Sequence, residues 1–288
     1  MHDMTVIKAR PPMLPPAPNS MQKGVPLKFL LDESAIACLA LNIHYVHASF
    51  DLPAFCEQAS LDLESLTLME RAQQIAQALR QFLPPSYAQS IQILLASFTP
   101  VHTETQDLGL SGFFYLPHSC YIASYGQDWS YNEGEDPFDL SMQALYALTT
   151  RFTAEFAIRP FLIAQQERTL AQVADWLSDP NPHVRRLCSE GTRPKLPWGK
   201  RLPAIVANPQ PTLSLLSALK NDESLYVRRS VANHLGDIAK DHPELVFSIC
   251  EQWLPAAGKE VKWLIRHAVR YWAKKGDDRA IQLRMKAK

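Results

Sequence analysis

The phrase Asp-Pro-Asn-Pro-His-Val-Arg-Arg at 179–186 returns 43 residues later, at 222–229, as Asp-Glu-Ser-Leu-Tyr-Val-Arg-Arg. A period of that length marks a helical-hairpin repeat, in which no single hairpin buries its apolar face and stacked neighbours build the core together. The pattern extends beyond the phrase. Arg151-x-x-x-Glu155, Arg186-x-x-x-Glu190, Arg229-x-x-x-Asn233 and Arg266-x-x-x-Arg270 follow one another at intervals of 35, 43 and 37 residues. Four repeats are therefore predicted, and the first two share an ending, Arg159-Pro160 and Arg193-Pro194, where proline stops or kinks the helix.

The fold class implied is all-α, an α-solenoid of HEAT-like helical repeats. Stacking aligns equivalent positions, and residues i and i+4 share a helix face. The four Arg-x-x-x pairs are thus expected as four rungs along one side, with Asp237 one turn beyond Asn233. The N-terminal half reads as helices over 32–50, 51–59, 67–82 and 86–97, and Met69, Ala72, Ile75, Ala76 and Leu79 make one apolar stripe at helical spacing. Residues 99–137 are rich in aromatics and glycine and read mostly as loop with a short helix. Residues 1–26 read as a flexible leader, and 27–288 as a single repeat domain. Its helical part, 27–137, carries the aromatic loop and the acidic insert at 131–137; its basic repeats, 138–288, carry the site.

The net charge of zero hides a division: residues 1–140 hold 6 basic and 15 acidic side chains, a net −9, and residues 141–288 hold 23 and 14, a net +9. Such asymmetry points to a polyanion partner for the basic half, or to two halves that attract each other. Five scattered cysteines form no C-x-x-C pair, which indicates neither a disulfide framework nor a zinc site and suits a reducing cytoplasm. No apolar run of membrane-spanning length and no signal-peptide core is apparent, so no membrane partner is expected. Histidines 183, 234, 242 and 267 lack metal-ligand spacing, phosphate-cradling glycine loops are absent, and neither a metal nor a cofactor is implied.

Arg185, Arg186, Arg193, Lys195, Lys200, Arg201, Arg228, Arg229, Arg266 and Arg270 suit a phosphate backbone, because guanidinium forks match phosphate oxygens. One arginine of each Arg-Arg pair is expected instead to form a structural ladder with Asp179 or Asp222, and the sequence leaves open which. Glu155 and Glu190 are the informative acids. An acid four residues after an arginine is ordinarily a solvated ion pair, but acids in register on a basic surface oppose phosphate binding unless they do other work. Stabilising a cationic sugar or orienting a water during N-glycosidic cleavage is such work. Trp198, after the turn Arg-Pro-Lys-Leu-Pro, is either exposed beside those acids or an ordinary packing residue.

At these residues the chain resembles the AlkC branch of the AlkC/AlkD alkylpurine DNA glycosylases. The likeness lies in Leu-Thr-Thr-Arg-Phe-Thr-Ala-Glu-Phe-Ala-Ile-Arg-Pro-Phe at 148–161, in residues 178–198 ending Arg-Pro-Lys-Leu-Pro-Trp, and in Tyr-Val-Arg-Arg-Ser-Val-Ala-Asn-His-Leu-Gly-Asp-Ile-Ala-Lys-Asp-His-Pro at 226–243. The resemblance implies that Glu155, Glu190 and Asp237 form the acidic active-site group, that Trp198 supports the lesion nucleotide, and that no deep base-flipping pocket is needed. Arg159, Arg185, Arg186, Arg193, Lys195, Arg228, Arg229, Asn233, Arg266 and Arg270 are the candidate contacts to DNA. The expected partner is alkylated double-stranded DNA, and the expected state a cytoplasmic monomer. Gly236 departs from the Asn that the resemblance leads one to expect before Asp237. The alternative from another class is a non-catalytic HEAT scaffold that binds nucleic acid or a protein.

Overall fold

The computed structural model describes residues 12–105 and 109–288, and the described residues contain α-helices, short 3-10 turns and no strand. The chain divides into two compact units, Met1–Phe152 and Thr153–Lys288, so the helix that follows the acidic insert belongs to the first unit. Of the expected leader, residues 1–11 lie outside the described residues. Residues 12–26 are held in place: Asn42 accepts from the Met13 amide at 3.1 Å and donates to its carbonyl at 2.8 Å.

In the first unit local sequence sets each helix start. Helix α1 (Glu33–Val46) begins at Asp32, whose carboxylate accepts from the Ala35 amide at 2.9 Å. Helix α2 (Leu52–Ala59) begins likewise at Asp51, and α3 (Leu68–Phe82) carries a full capping box between Thr67 and Glu70. Ala72, Ile75, Ala76 and Leu79 of α3 are buried, but Met69, counted in the same stripe, stands 52% exposed in the first turn. Leu27–Val46 is long and apolar enough to cross a membrane by length and composition, contrary to the reading of the sequence. It is a 3-10 turn and a helix broken at Asp32, and α1 buries Ile36, Leu39 and Ile43 in the core.

After α4 (Tyr87–Ala96), the region expected as loop with a short helix supplies that helix, α5 (Leu116–Tyr125), which packs on α3 and on α6 (Phe138–Thr149). Several of the region's aromatic residues belong to the core: Phe114 is 3% exposed and Tyr115 and Tyr121 are 0% exposed, whereas Trp129 stands in solvent. Tyr131 of the acidic insert donates to Ser90 at 2.9 Å and meets the Tyr121 hydroxyl at 2.5 Å, while Tyr87 meets Ser141 at 2.8 Å. The insert is thereby pinned by its aromatic end, and its acids turn outward through Glu133 and Gly134, both at positive φ.

The second unit has the repeat architecture. After α7 (Arg159–Ala164) comes α8 (Gln166–Asp175), which packs on it, and then α9 (Pro182–Glu190), whose Cys188 thiol donates to the Val173 carbonyl of α8 at 3.3 Å. The short α10 (Pro203–Ala207) leads to α11 (Gln210–Leu219), which pairs with α12 (Leu225–Ile238). Helices α13 (Pro243–Trp253), α14 (Lys259–Ala268), α15 (Arg270–Lys274) and α16 (Asp278–Lys286) complete it. Within this unit α12 packs between α9 and α14, so the repeated helices lie side by side as the repeat predicts. The aspartate that opens each repeated phrase caps its own turn: Asp179 accepts from the Asn181 amide and Asp222 from the Ser224 amide, each at 2.8 Å.

Two rungs fail as helical pairs. Helix α6 ends at Thr149, and Arg151 turns back onto the carbonyls of Ala147 and Thr99, at 2.8 and 2.7 Å. Arg151 and Glu155 therefore share no helix face. Helix α14 likewise ends before Val269, which separates Arg266 from Arg270.

Candidate active site

The ladder question has a clear answer. Arg185 grips Asp222 with two bonds of 2.6 and 3.0 Å and donates to the Asp179 carbonyl at 2.8 Å, tying one repeat to the next. Arg228 repeats the intra-loop half, donating to the carbonyls of Asp222 and Glu223 at 2.6 and 2.8 Å. The first arginine of each pair is structural, and both are corrected from DNA contacts to loop staples. The second arginine faces the other way. Arg229 is exposed, and Arg186 lies 4.8 Å from the centre of the Tyr226 ring and 2.8 Å from Glu155 Oε2.

From Arg186 a row of alternating charge crosses α9 and α12. Glu155 reaches it from the loop before α7, held by the Thr153 hydroxyl at 2.7 Å. Arg186 Nη2 lies 3.6 Å from Glu190 Oε1, and Arg193 Nη1 donates to the same oxygen at 2.6 Å. Glu190 Oε2 accepts from Ser230 at 2.6 Å. Arg193 then crosses to Asp237, its Nε 2.8 Å from Oδ2, and Lys240 closes the row at 3.0 Å from Oδ1. Helix pairing places these groups: Glu190 ends α9, and Ser230 and Asp237 lie two turns apart on α12.

Glu155, Glu190 and Asp237 are 8%, 6% and 3% exposed, so all three carboxylates are withdrawn from bulk water. Burial raises the Glu190 carboxyl, but Arg186, Arg193 and the Ser230 hydroxyl outweigh it and hold the group below its ordinary value. Arg193 is held above its ordinary value by Glu190 and Asp237, which outweigh its burial. Behind the row His234 is fully buried; its Nδ1–H donates to the Ser189 carbonyl at 3.0 Å, and burial pushes the imidazole down to about 3, so it stays neutral.

Asp237 also borders an open cleft of about 760 Å³, shared with Pro197, Asn233, Gly236, Lys240 and Arg270. Gly236 faces that space: a Cβ there would come no nearer than 3.4 Å to the Ala268 carbonyl. Asn233 is occupied within it, its Oδ1 3.1 Å from Arg270 Nη2 and 3.0 Å from His267 Nε2. Trp198 is 90% exposed and sits at φ 62°, in the left-handed region that bulky residues avoid. It is not a packing residue.

The remaining predicted cations divide. Arg159 is 0% exposed and donates to the carbonyls of Gly191 and Lys200, so it is corrected from a DNA contact to an interior group. Arg266 is taken by the Ala287 carbonyl at the end of α16, and Lys195 pairs with Asp241 at 2.6 Å. Arg193 is buried between two carboxylates. Arg229 and Arg270, with Lys200 and Arg201, stay exposed. Thr153, Tyr226, Ser230 and Lys240 belong to the site although the sequence did not single them out. Lys240 was legible as the residue three after Asp237, in the turn that ends α12; the others are brought in by packing between repeats.

Fold and site together define a helical-repeat protein with a buried row of carboxylates and arginines next to an exposed, strained tryptophan. No family model matches the chain. Over 259 residues it is 39% identical to the uncharacterized protein YhaZ of Bacillus subtilis (strain 168), a match covering 89% of this chain and 67% of that protein. A solved structure, Pseudomonas fluorescens alkylpurine DNA glycosylase AlkC bound to DNA containing an abasic site analog, is 40% identical with a TM-score of 0.79, covering 90% of this chain and 67% of that one. The chain belongs to the AlkC family of alkylpurine DNA glycosylases.

Proposed function

We propose that this chain is a monofunctional DNA glycosylase that releases positively charged N-alkylated bases, of the 3-methyladenine type, from duplex DNA, the first step of base excision repair. The observation that carries it is the row of Glu155, Glu190 and Asp237, buried and compensated by arginine, with Asp237 opening on a cleft. Glu190, held below its ordinary value by Arg186 and Arg193, is not poised as an acid. A cationic base needs none: the C1′–N bond breaks with its electron pair passing to the base, which leaves neutral. The developing oxocarbenium charge is then stabilised by fixed carboxylates in a site of low dielectric. Water adds to C1′, and its proton passes to a carboxylate, with Asp237 on the cleft the best placed to receive it.

Trp198 supplies a flat apolar surface for the lesion nucleotide, and the exposed Arg229, Arg270, Lys200 and Arg201 follow the phosphates. In this reading the protein acts as a monomer in the cytoplasm. Incubation with duplex DNA carrying N-methylated purines, followed by chromatography of free bases, tests it: release of 3-methyladenine is expected, and binding without release leaves only a DNA-binding scaffold.

A further inference from the structure

Trp198 holds an unfavourable backbone conformation with its ring in solvent, so its own contacts do not keep it there. Asp62 and Glu133 are the other non-glycine residues at positive φ among the described residues, and both are small or flexible polar groups in turns. What fixes the turn lies beneath it. Arg159 is 0% exposed, although it carries a guanidinium. Its Nη1 donates to the Gly191 carbonyl at 3.0 Å and its Nε to the Lys200 carbonyl, so one side chain grips both ends of the segment that carries Trp198.

The turn also lies flat on that side chain. A Cβ on Gly199 would stand 3.3 Å from Arg159 Cδ and Nε and 3.0 Å from the buried Leu196, closer than side-chain contacts ordinarily come. Gly191, the other grip, directly follows Glu190, and a Cβ there would meet Ile158 Cγ2 at 2.8 Å. Arg159 itself begins α7, four residues after Glu155. One guanidinium is thus fixed to the carrier of Glu155, to the end of the helix carrying Glu190, and to the Trp198 turn.

Stability alone does not call for an arginine here. A methionine would fill the volume, whereas the guanidinium is desolvated, opposed by Arg193, and leaves Nη2 buried without a hydrogen bond. The fields of Glu155, Asp237 and Glu190 offset that cost only in part, and Arg159 titrates at about 10. We infer that Arg159 is a positioning residue: without touching DNA, it holds the Trp198 turn in its strained, outward form and sets the distance from Trp198 to the carboxylate row. This rests on the glycosylase reading for its effect on rate, but not for its effect on the turn.

Hydrogen–deuterium exchange on Arg159→Met and on Arg159→Lys separates the two. Exchange is expected to rise in residues 191–202 while α12 and α14 stay as in the parent protein. No rise there, or a uniform rise through the second unit, overturns the inference whether or not the protein releases bases. On alkylated DNA, the single-turnover rate at saturating protein is expected to fall about tenfold in Arg159→Met with DNA affinity unchanged within about twofold. The double variant with Trp198→Ala should be no slower than Trp198→Ala alone. Additive losses contradict positioning through Trp198. If Arg159→Met fails to fold, Arg159→Lys carries both measurements, with a smaller loss expected because one of the two grips survives.

Discussion

The first unit buries Tyr87, Tyr121, Tyr131, Ser90 and Ser141 in a neutral hydrogen-bonded network, whereas the second buries Glu155, Glu190, Arg193 and Asp237 as ions. Both satisfy their polar atoms, at very different cost. Hydroxyl groups lose little on leaving water once each has a partner, but buried ion pairs often do no better than apolar residues of the same volume. The neutral network is what a fold needs in order to pin a loop, here the insert at Tyr131. An ionic row in the same chain is more than stability requires, and the proposed function gives that excess charge a use.

The comparison breaks most sharply at Arg193. Arg193→Met leaves Glu190 and Asp237 buried without their shared cation, and urea unfolding at neutral pH should show a loss of about 3–5 kcal/mol. A loss near zero would mean that the row is hydrated and its burial immaterial.

Acid should act on both units alike. His118 in the first and His234 in the second are each buried, and burial pushes both down to about 3 from an ordinary 6.5. Each therefore binds a proton on unfolding. Their contribution to stability is complete above about pH 6.5 and is lost as pH falls toward 3, with a slope of about 1.4 kcal/mol per pH unit for each histidine. Unfolding titrations at pH 7, 6 and 5 check this, and His118→Phe should flatten the slope by one proton.

Smallest is the effect of Tyr131→Phe, which removes the hydroxyl from Ser90 and Tyr121 and should cost about 1–3 kcal/mol of stability. Base release at 25 °C should not change. A change in release would extend the site into the first unit.

Much of this was legible in the sequence, for reasons that differ by residue. The repeated Asp…Val-Arg-Arg phrase encodes a local turn, so its period gave the architecture of the second unit, and caps such as Asp32, Asp51 and Thr67 marked helix starts within a residue. Spacing alone could not tell Arg185 from Arg186, because their fates depend on Asp222 and Glu155, both more than 30 residues away. Glu155 was legible for a partly mistaken reason: spacing puts it on a helical rung with Arg151, yet α6 ends at Thr149, before either residue, and Thr153 and Arg186 fix its place. The bridge from Glu190 through Arg193 to Asp237 joins neighbouring repeats, and no window of sequence contains it. Helix α5 lies in the region expected as loop with a short helix; its bounds were not legible because Leu116 to Ile122 are buried without interruption, so no polar face marks them.

In the proposed function the carboxylate row performs chemistry on DNA and does not merely hold the repeats together. Single-turnover release of 3-methyladenine by Asp237→Asn, measured beside its affinity for the same duplex, addresses it directly. Release is expected to slow by about 10²–10³ with affinity within a fewfold of the parent protein. Release at the parent rate from a fully bound, folded Asp237→Asn protein would contradict it.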